Sequence, residues 1–445
     1  MKKILSLATV LACGVSNSFG ADSVESAFKE GKASGEVRAF YINRDWTPNV
    51  ASRPDRAAFA VGGNLGFDTA PVNGLSAGAK FYTTQGVGLN SDNGAKIDPT
   101  LFDDNKDSYS ILGEAYMAYK NSQTTVKVGR QKLDTPLAGS DDARMLPNLF
   151  EAAVIANTDI KDTTLILAHV SKFAAGTFSN AYANSGVDAN GINSGGYLAL
   201  HGGYGLNNQS GKFMNMGGYA VGKDTNGVTA GAVIYKGIPN LTLQLWDYYA
   251  TDILNAIYAE AEYKWNCLIN PDLKMALSGQ YIGESDVGDK FAGQIDSDYY
   301  GVQLSATVAD LNLKAAYSET GESKGKTTNG GIISPWGGMP AYTQGMVTRH
   351  QFFADTEAWK VSGTYNFKKA IGEDIALTLA YMEYKMGDGN MYQPNKEWTA
   401  KESLFDLMYT TQIKGLKLKL RGNFPTDFAP NLDWDEYRVI AYYNF

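Results

Sequence analysis

The stretch Tyr300-Gly301-Val302-Gln303-Leu304-Ser305-Ala306-Thr307-Val308 changes character at every second residue. In an extended chain successive side chains point to opposite faces, so Tyr300, Val302, Leu304, Ala306 and Val308 share one face, and Gly301, Gln303, Ser305 and Thr307 the other. The same period recurs. Leu241, Leu243 and Leu245 alternate with Thr242 and Gln244. Ile375, Leu377, Leu379 and Tyr381 alternate with Ala376, Thr378 and Ala380, and Trp359, Val361, Gly363 and Tyr365 with Lys360, Ser362 and Thr364. Each run is about ten residues, the length that crosses a bilayer as a tilted strand. A soluble β-sandwich shows the same alternation, so the number of runs carries the argument.

Composition agrees with strands. The 445 residues include 48 Gly, 27 Tyr, 19 Phe and only 13 Pro. Gly is costly inside helices and frequent in tight turns, while Tyr favours strands. Lys2 and Lys3, the apolar run Ile4 to Ala12 and the small residues of Ser18-Phe19-Gly20 read as a secretory signal cleaved before Ala21. A lipoprotein signal, Val10-Leu11-Ala12-Cys13, is the rival, but it would place the lipidated cysteine unusually early. No other segment approaches the 18 or so consecutive apolar residues of a membrane-spanning helix. Once the leader is removed, Cys267 is the only cysteine, which excludes an internal disulfide framework. The formal charge is −8 before two lysines leave with the signal, which argues against a nucleic-acid partner.

Connections alternate in length: Asn121-Ser122-Gln123 and Lys414-Gly415 are short, whereas 135–149, 321–356 and 387–402 are long. Short turns at one end and long loops at the other characterise bacterial outer-membrane barrels. Strands are expected near 34–44, 56–68, 74–85, 108–120, 124–134, 150–157, 162–172, 229–237 and 240–249. The rest are expected near 254–266, 273–283, 297–309, 311–320, 357–367, 374–386, 403–413, 416–423 and 435–445. The expectation is an all-β, transmembrane, antiparallel, up-and-down barrel of 18 strands over 34–445, preceded by a signal (1–20) and a short periplasmic segment (21–33). Residues 173–228 are one long loop, or hold a further hairpin that raises the count to 20. In the last strand Tyr437, Val439, Ala441, Tyr443 and Phe445 share a face, similar to the C-terminal assembly signal of outer-membrane proteins. Tyr41, Tyr119, Tyr248, Trp359, Tyr365, Tyr381, Tyr443 and Phe445 fall towards strand ends, where interfacial girdles would place them.

In Leu416-Lys417-Leu418-Lys419-Leu420-Arg421 the leucines take one face and the cations the other. Facing lipid near the midplane, each cation would cost about 2–4 kcal/mol, and three together are comparable to a domain's whole stability. Lys417, Lys419 and Arg421 are therefore expected to line the lumen, the alternative being a solvated position at the rim. Arg38 follows Glu36 on the first strand, Glu114 opposes an apolar face, and Glu260, Glu262 and Lys264 share a face. Arg130 falls where the Val126/Val128 alternation would push it outward, so a place in the lumen needs a bulge or strand end there. Opposed acidic and basic walls would set a transverse field across the pore.

Other classes fit less well. His169, His201 and His350 are the only histidines. No G-x-S-x-G elbow and no H-E-x-x-H motif is present, though a Ser/His hydrolase site stays open. Asp103-Asp104-Asn105-Lys106-Asp107 has a fragment of calcium-loop spacing but lacks the glycine and distal glutamate, so neither metal nor cofactor is expected. Only about a dozen residues precede the first strand, too few for a receptor's plug. A surface adhesin or structural barrel closed by its loops remains the alternative to a pore.

One region looks like a known family. Pro99-Thr100-Leu101-Phe102-Asp103-Asp104, Ser110-Ile111-Leu112-Gly113-Glu114-Ala115-Tyr116, Val128-Gly129-Arg130-Gln131 and Asp142-Ala143-Arg144-Met145-Leu146-Pro147-Asn148-Leu149-Phe150 resemble the OprD-type substrate-specific outer-membrane porins. Phe28-Lys29-Glu30-Gly31 and Gly35-Glu36-Val37-Arg38 are similar to that family's first strand and its approach. The resemblance is sharpest over residues 25–171, with Met145 standing where leucine is usual. It implies a monomeric 18-stranded barrel, inward loops that narrow the pore, and basic residues guiding carboxylate-bearing solutes. It also implies that 135–149 is a constriction loop with Asp142 and Arg144 near the eyelet. The implied partners are outer-membrane lipid, lipopolysaccharide and small carboxylate-bearing solutes.

Overall fold

The computed structural model describes residues 20–48, 53–183 and 208–445; the expected signal and His201 lie outside them. The strands are β1 (Lys32–Thr47), β2 (Arg56–Asp68), β3 (Leu75–Gln85), β4 (Tyr109–Asn121), β5 (Thr124–Gln131), β6 (Leu149–Asn157), β7 (Thr163–Ala174), β8 (Met214–Asn215), β9 (Val228–Tyr235) and β10 (Leu241–Ala250). They continue with β11 (Leu254–Asn266), β12 (Lys274–Asp286), β13 (Asp296–Val308), β14 (Leu311–Thr320), β15 (Thr356–Asn366), β16 (Asp374–Met386), β17 (Trp398–Thr410), β18 (Leu416–Thr426) and β19 (Asp433–Asn444).

Every neighbour is antiparallel, and β1 pairs with β19 from Glu36↔Asn444 to Thr47↔Asp433, which closes the sheet. Backbone bonds between Gly35 and Phe445, both 3.1 Å, extend the seam to the last residue. Closure satisfies every strand edge, the condition for a sheet to stand in lipid. β7 pairs with β9 directly, while the two-residue β8 pairs only with Lys172 and Phe173 at the end of β7. The barrel therefore has 18 staves. The described parts of 173–228 add only a helix at Thr177–Ala183, β8 and a helix at Met216–Val221.

The exposed large apolar residues trace the outer wall. Leu243 and Leu245, Val302 and Leu304, Leu418 and Leu420, and Val439 all stand on it. Tyr41, Tyr119, Trp359 and Tyr443 are exposed on the same face. Tyr248 corrects the expected girdle: it is buried, points inward and stacks on Trp246 at 5.8 Å, while Tyr249 is the outward residue. The leucine alternation of β10 already assigns even-numbered positions to the interior, and Tyr248 obeys it.

The hairpin between β2 and β3 turns on Asn73 (φ 49°) and Gly74 (φ 84°), the two left-handed positions that an Asn-Gly turn supplies. Boundaries shift by a few residues elsewhere. β17 starts at Trp398 rather than 403, and β5 stops at Gln131 rather than 134. No helix of the described residues is long and apolar enough to cross a membrane.

The two faces should tolerate charge differently. Leu304→Arg, on the outer wall, is expected to destabilise the barrel by about 2–4 kcal/mol, and Gln303→Arg, one residue away and inward, by far less. Denaturant unfolding of both variants in lipid vesicles measures the difference.

Candidate functional site

The interior is built by the same alternation. On β17, β18, β19 and β1 it turns Glu402, Asp406, Lys417, Lys419, Arg421, Glu436, Arg438, Tyr442, Glu36, Arg38 and Arg44 inward, opposite exposed Leu418, Leu420, Val439, Val37 and Tyr41. Arg421 lies directly across the ladder from Arg438, and Arg44 across from Glu436. Like charges in that position repel, and two carboxylates offset them. Asp406 accepts from Arg421 Nε at 2.9 Å and from Lys419 Nζ at 3.4 Å. Glu436 accepts from Arg44 at 2.7 Å and Arg438 Nε at 2.6 Å, while Asp98, from a loop, reaches Arg44 at 3.6 Å. The six inward cations of these four strands share their face with four carboxylates, Glu36, Glu402, Asp406 and Glu436, of which Glu402 is turned onto loop backbone, and the loop residues Asp98 and Asp142 pair with Arg44 and Arg38 besides. Among the strand residues alone, the cations are in excess by two.

The three cations of β18 differ. Lys417 is exposed, one residue from the periplasmic end, and makes no ion pair among the described residues. Lys419 is half-buried and Arg421 is buried. The row thus climbs from the periplasmic mouth into the barrel.

Arg38 ties the first strand to loop 135–149. Its Nη1 donates to Asp142 Oδ1 at 2.9 Å and to the Arg144 carbonyl, and its guanidinium lies 5.1 Å from the Tyr442 ring. Lys132 reaches the other Asp142 oxygen at 3.6 Å. Asp142 and Arg144 have separate situations. Asp142 keeps 29% of its side-chain surface open. Arg144 is 2% exposed and donates to Thr100 Oγ1 at 3.0 Å, with its guanidinium 5.3 Å from the Phe178 ring. Arg144 is thus a buried anchor of the loop, not a side chain presented to the opening.

Glu114 points inward in phase with Ala118, and Gly113 is an extra residue against β3 that turns Ile111 inward and Leu112 out: Lys80 pairs with Glu114 and Phe81 with Leu112. It accepts from Tyr82 at 2.7 Å, with Lys80 Nζ at 3.8 Å. Across the barrel, Glu262 pairs with Lys264 at 2.5 Å and Glu260 accepts from Tyr258. Arg130 is a correction: it points outward. It pairs with Ala115 and Glu151, shares a face with exposed Val128, and no bulge reverses it.

Residues 321–355 contribute the larger share of the filling. Their buried Ile332, Ile333, Trp336, Met339 and Phe352 belong to the main apolar core. Inward side chains hold the backbone along its length. Glu284 accepts from Ile333 N at 2.8 Å, Gln280 donates to Pro340 O at 2.7 Å, and Lys360 donates to Gln344 O at 2.6 Å. Glu402 accepts from Met346 N at 2.9 Å and Thr348 N at 2.8 Å.

The segment then crosses loop 135–149 at glycine. Gly139 N donates to Trp336 O at 3.2 Å and Met339 N to Pro136 O at 2.6 Å. A Cβ on Gly139 would stand 2.8 Å from Gly338 N, and one on Gly338, at φ +81°, 2.4 Å from Pro136 O. Only glycine permits so close a crossing at that backbone angle. The two loops together span the interior from β1 to β17.

Sequence reasoning missed Arg44, Asp406, Glu436 and Arg438, although the parity of Val439 already turns Arg438 inward. It also missed the role of 321–355, whose signal was Ile332-Ile333, Trp336 and Phe352-Phe353 in a stretch otherwise rich in Gly and polar residues.

The histidines offer no catalytic arrangement among the described residues. His169 faces outward and shares a hydrogen bond with Thr229 at 3.0 Å. His350 is enclosed by Phe353, Tyr384, Tyr392, Trp398 and Phe428, and its Nε2 donates to Phe428 O at 2.5 Å. Glu322, Asp355 and Asp388 come close enough to hold a cation, but exposed acidic groups often do so without one.

The family model described as outer membrane porin, OprD family, matches residues 26–445. Among solved structures, the chain is similar to Pseudomonas aeruginosa OccK9 (OpdG) at 19% identity and TM-score 0.72, and to OccK8 (OprE) from the same organism at 18% and 0.70. It is also similar to P. aeruginosa OpdK with vanillate, at 19% and 0.67. Each match covers 94% of this chain and 99% of the other. No curated protein matches.

Burial pushes the His350 imidazole down to about 4, so it is neutral at pH 7 while the unfolded side chain titrates near 6.5. Between those values the unfolded state binds the extra proton, so stability falls as pH drops from about 6.5 towards 4. Amide protection factors across 321–355, corrected for the intrinsic pH dependence of exchange, should fall on acidification from pH 7 to 4.5, and His350→Gln, which keeps a donor but does not titrate, should flatten that dependence.

Proposed function

We infer that this chain, which belongs to the OprD family of outer-membrane porins, admits small carboxylate-bearing solutes by passive diffusion past its cation-rich wall. It resides in the bacterial outer membrane and is not an enzyme. The observation that carries the substrate reading is the imbalance among the strand residues of β17, β18, β19 and β1, whose six inward cations outnumber their four inward carboxylates. In a narrow low-dielectric pore such a surface concentrates anions and repels cations. Lys417 and Lys419 offer the accessible charge, Arg421 and Arg438 hold the potential from behind, and Arg38 keeps Asp142 at the edge of the opening. Glu114 and Glu262, from other parts of the wall, supply the opposite sign and orient a dipolar solute. Loops 135–149 and 321–355 narrow the passage, so a solute meets the charged wall rather than the centre of a wide lumen. The vanillate that accompanies OpdK is an aromatic carboxylate and agrees with this chemistry.

A salt gradient across a planar bilayer tests the reading. The wild-type reversal potential should have the sign of anion preference. Lys417→Glu/Lys419→Glu should move it towards cation preference and lower the flux of benzoate-like anions severalfold. An unchanged reversal potential in that variant would refute the role given to the wall.

A further inference from the structure

The outer wall carries a charged row near its extracellular edge. Arg130 on β5, Glu151 on β6 and Lys172 on β7 are successive register partners. All three face outward. Arg130 follows exposed Val128, and Glu151 precedes exposed Ile155 on the same face. Lys172 would point inward by the alternation of Leu165, Leu167 and His169, but Ser171 is an extra residue: Glu151 pairs with Lys172 and Ala152 with Val170. The bulge turns Lys172 out and buries Phe173 within. Glu151 lies 2.9 Å from Lys172 and 3.7 Å from Arg130, one carboxylate between two cations. Their side chains remain 30–45% open, and Phe213 covers the Arg130 guanidinium at 4.5 Å.

The row's height is set by the strands. Lys172 stands nine residues above Thr163, which pairs with Tyr235 at the periplasmic end. On a strand tilted about 40° that is roughly 23 Å, the height of the apolar band. There a cation costs about 0–1 kcal/mol rather than the midplane penalty, and it meets lipid head groups. Ala115 pairs with Arg130 on the β4 side, and the outward residues on the steps below include Met117, Val128, Ala153, Ile155 and Leu167. By contrast, the row at the extracellular ends of β14–β16 holds two carboxylates and one cation, with Glu319 facing Glu357, Glu357 facing Lys385, and Glu383 nearby.

We propose that Arg130 and Lys172 bind a phosphate of an outer-leaflet lipopolysaccharide, one of whose acyl chains lies along the apolar face at Val128 and Ala153. A phosphate of charge near −2 is met by two cations, and Glu151 moderates the site so that the row is stable before the lipid arrives. The bulge at Ser171 exists at the cost of ladder regularity, and its effect is to bring the second cation to the outside. This assignment is independent of what the pore conducts.

The test measures binding of diphosphorylated and dephosphorylated lipid A to the refolded mature protein in detergent, by native mass spectrometry. Wild type should bind the phosphorylated form at least tenfold more tightly. Arg130→Gln/Lys172→Gln should lose that preference, and Glu151→Gln should tighten binding severalfold. Heat-modifiable migration confirms folding of each variant. If the double variant does not fold, Lys172→Gln alone should still weaken binding. Equal binding of the two lipids by wild type, or no loss in the variants, overturns the proposal. So does full displacement by inorganic phosphate at millimolar concentration, which would make the row a free-anion site.

Discussion

A strand in hydrocarbon has no water to offer a charge, and the rest of this structure depends on that constraint. It forces the backbone into a closed ladder, from the β1–β19 seam to the bond between Gly35 and Phe445. It also sorts side chains by parity, so that the midwall charges of β17, β18, β19 and β1 accumulate on the inside. A crowded interior of cations follows, and Asp406 and Glu436 make it tolerable by each serving two basic groups. Removing such a shared carboxylate would leave buried like charges facing each other, a situation worth several kcal/mol.

Eighteen staves enclose more space than their own inward side chains fill, and the loops answer this. Loop backbone brought into the barrel needs partners for its N–H and C=O groups. Glu284, Gln280, Lys360 and Glu402 supply them from strand positions. The same inward polar residues that a solute would meet in an empty barrel are here spent on holding 321–355. Towards β18 and β1, Lys417, Lys419 and Asp142 keep accessible side-chain surface.

Much of this was legible in the residues because a period of two admits no compromise. The 18 staves, the parity of Lys417, Lys419 and Arg421, and the short turn at Asn73-Gly74 all follow local rules. Tyr248 was misread because position near a strand end was allowed to outweigh parity. Loop behaviour was less legible because it depends on what lies opposite in space: Arg144 is a buried anchor only because Thr100 and Phe178 meet it. The crossing of Gly139 with Gly338 joins residues about two hundred positions apart, and no local pattern announces it. Two one-residue bulges acted differently. The one at Gly113 turned Ile111 inward and Leu112 outward, and the one at Ser171 turned Lys172 outward, where each overrode simple alternation.

The inward loops are held to narrow a conducting path without sealing it. Single-channel recording of the refolded protein in a planar bilayer tests this most directly, alongside a variant in which 324–348 is replaced by a short Gly/Ser connector. Steady discrete openings are expected in the wild type and clearly larger ones in the variant. A silent wild type with a conducting variant would contradict this, because the loops would then be a closed cap on a structural barrel.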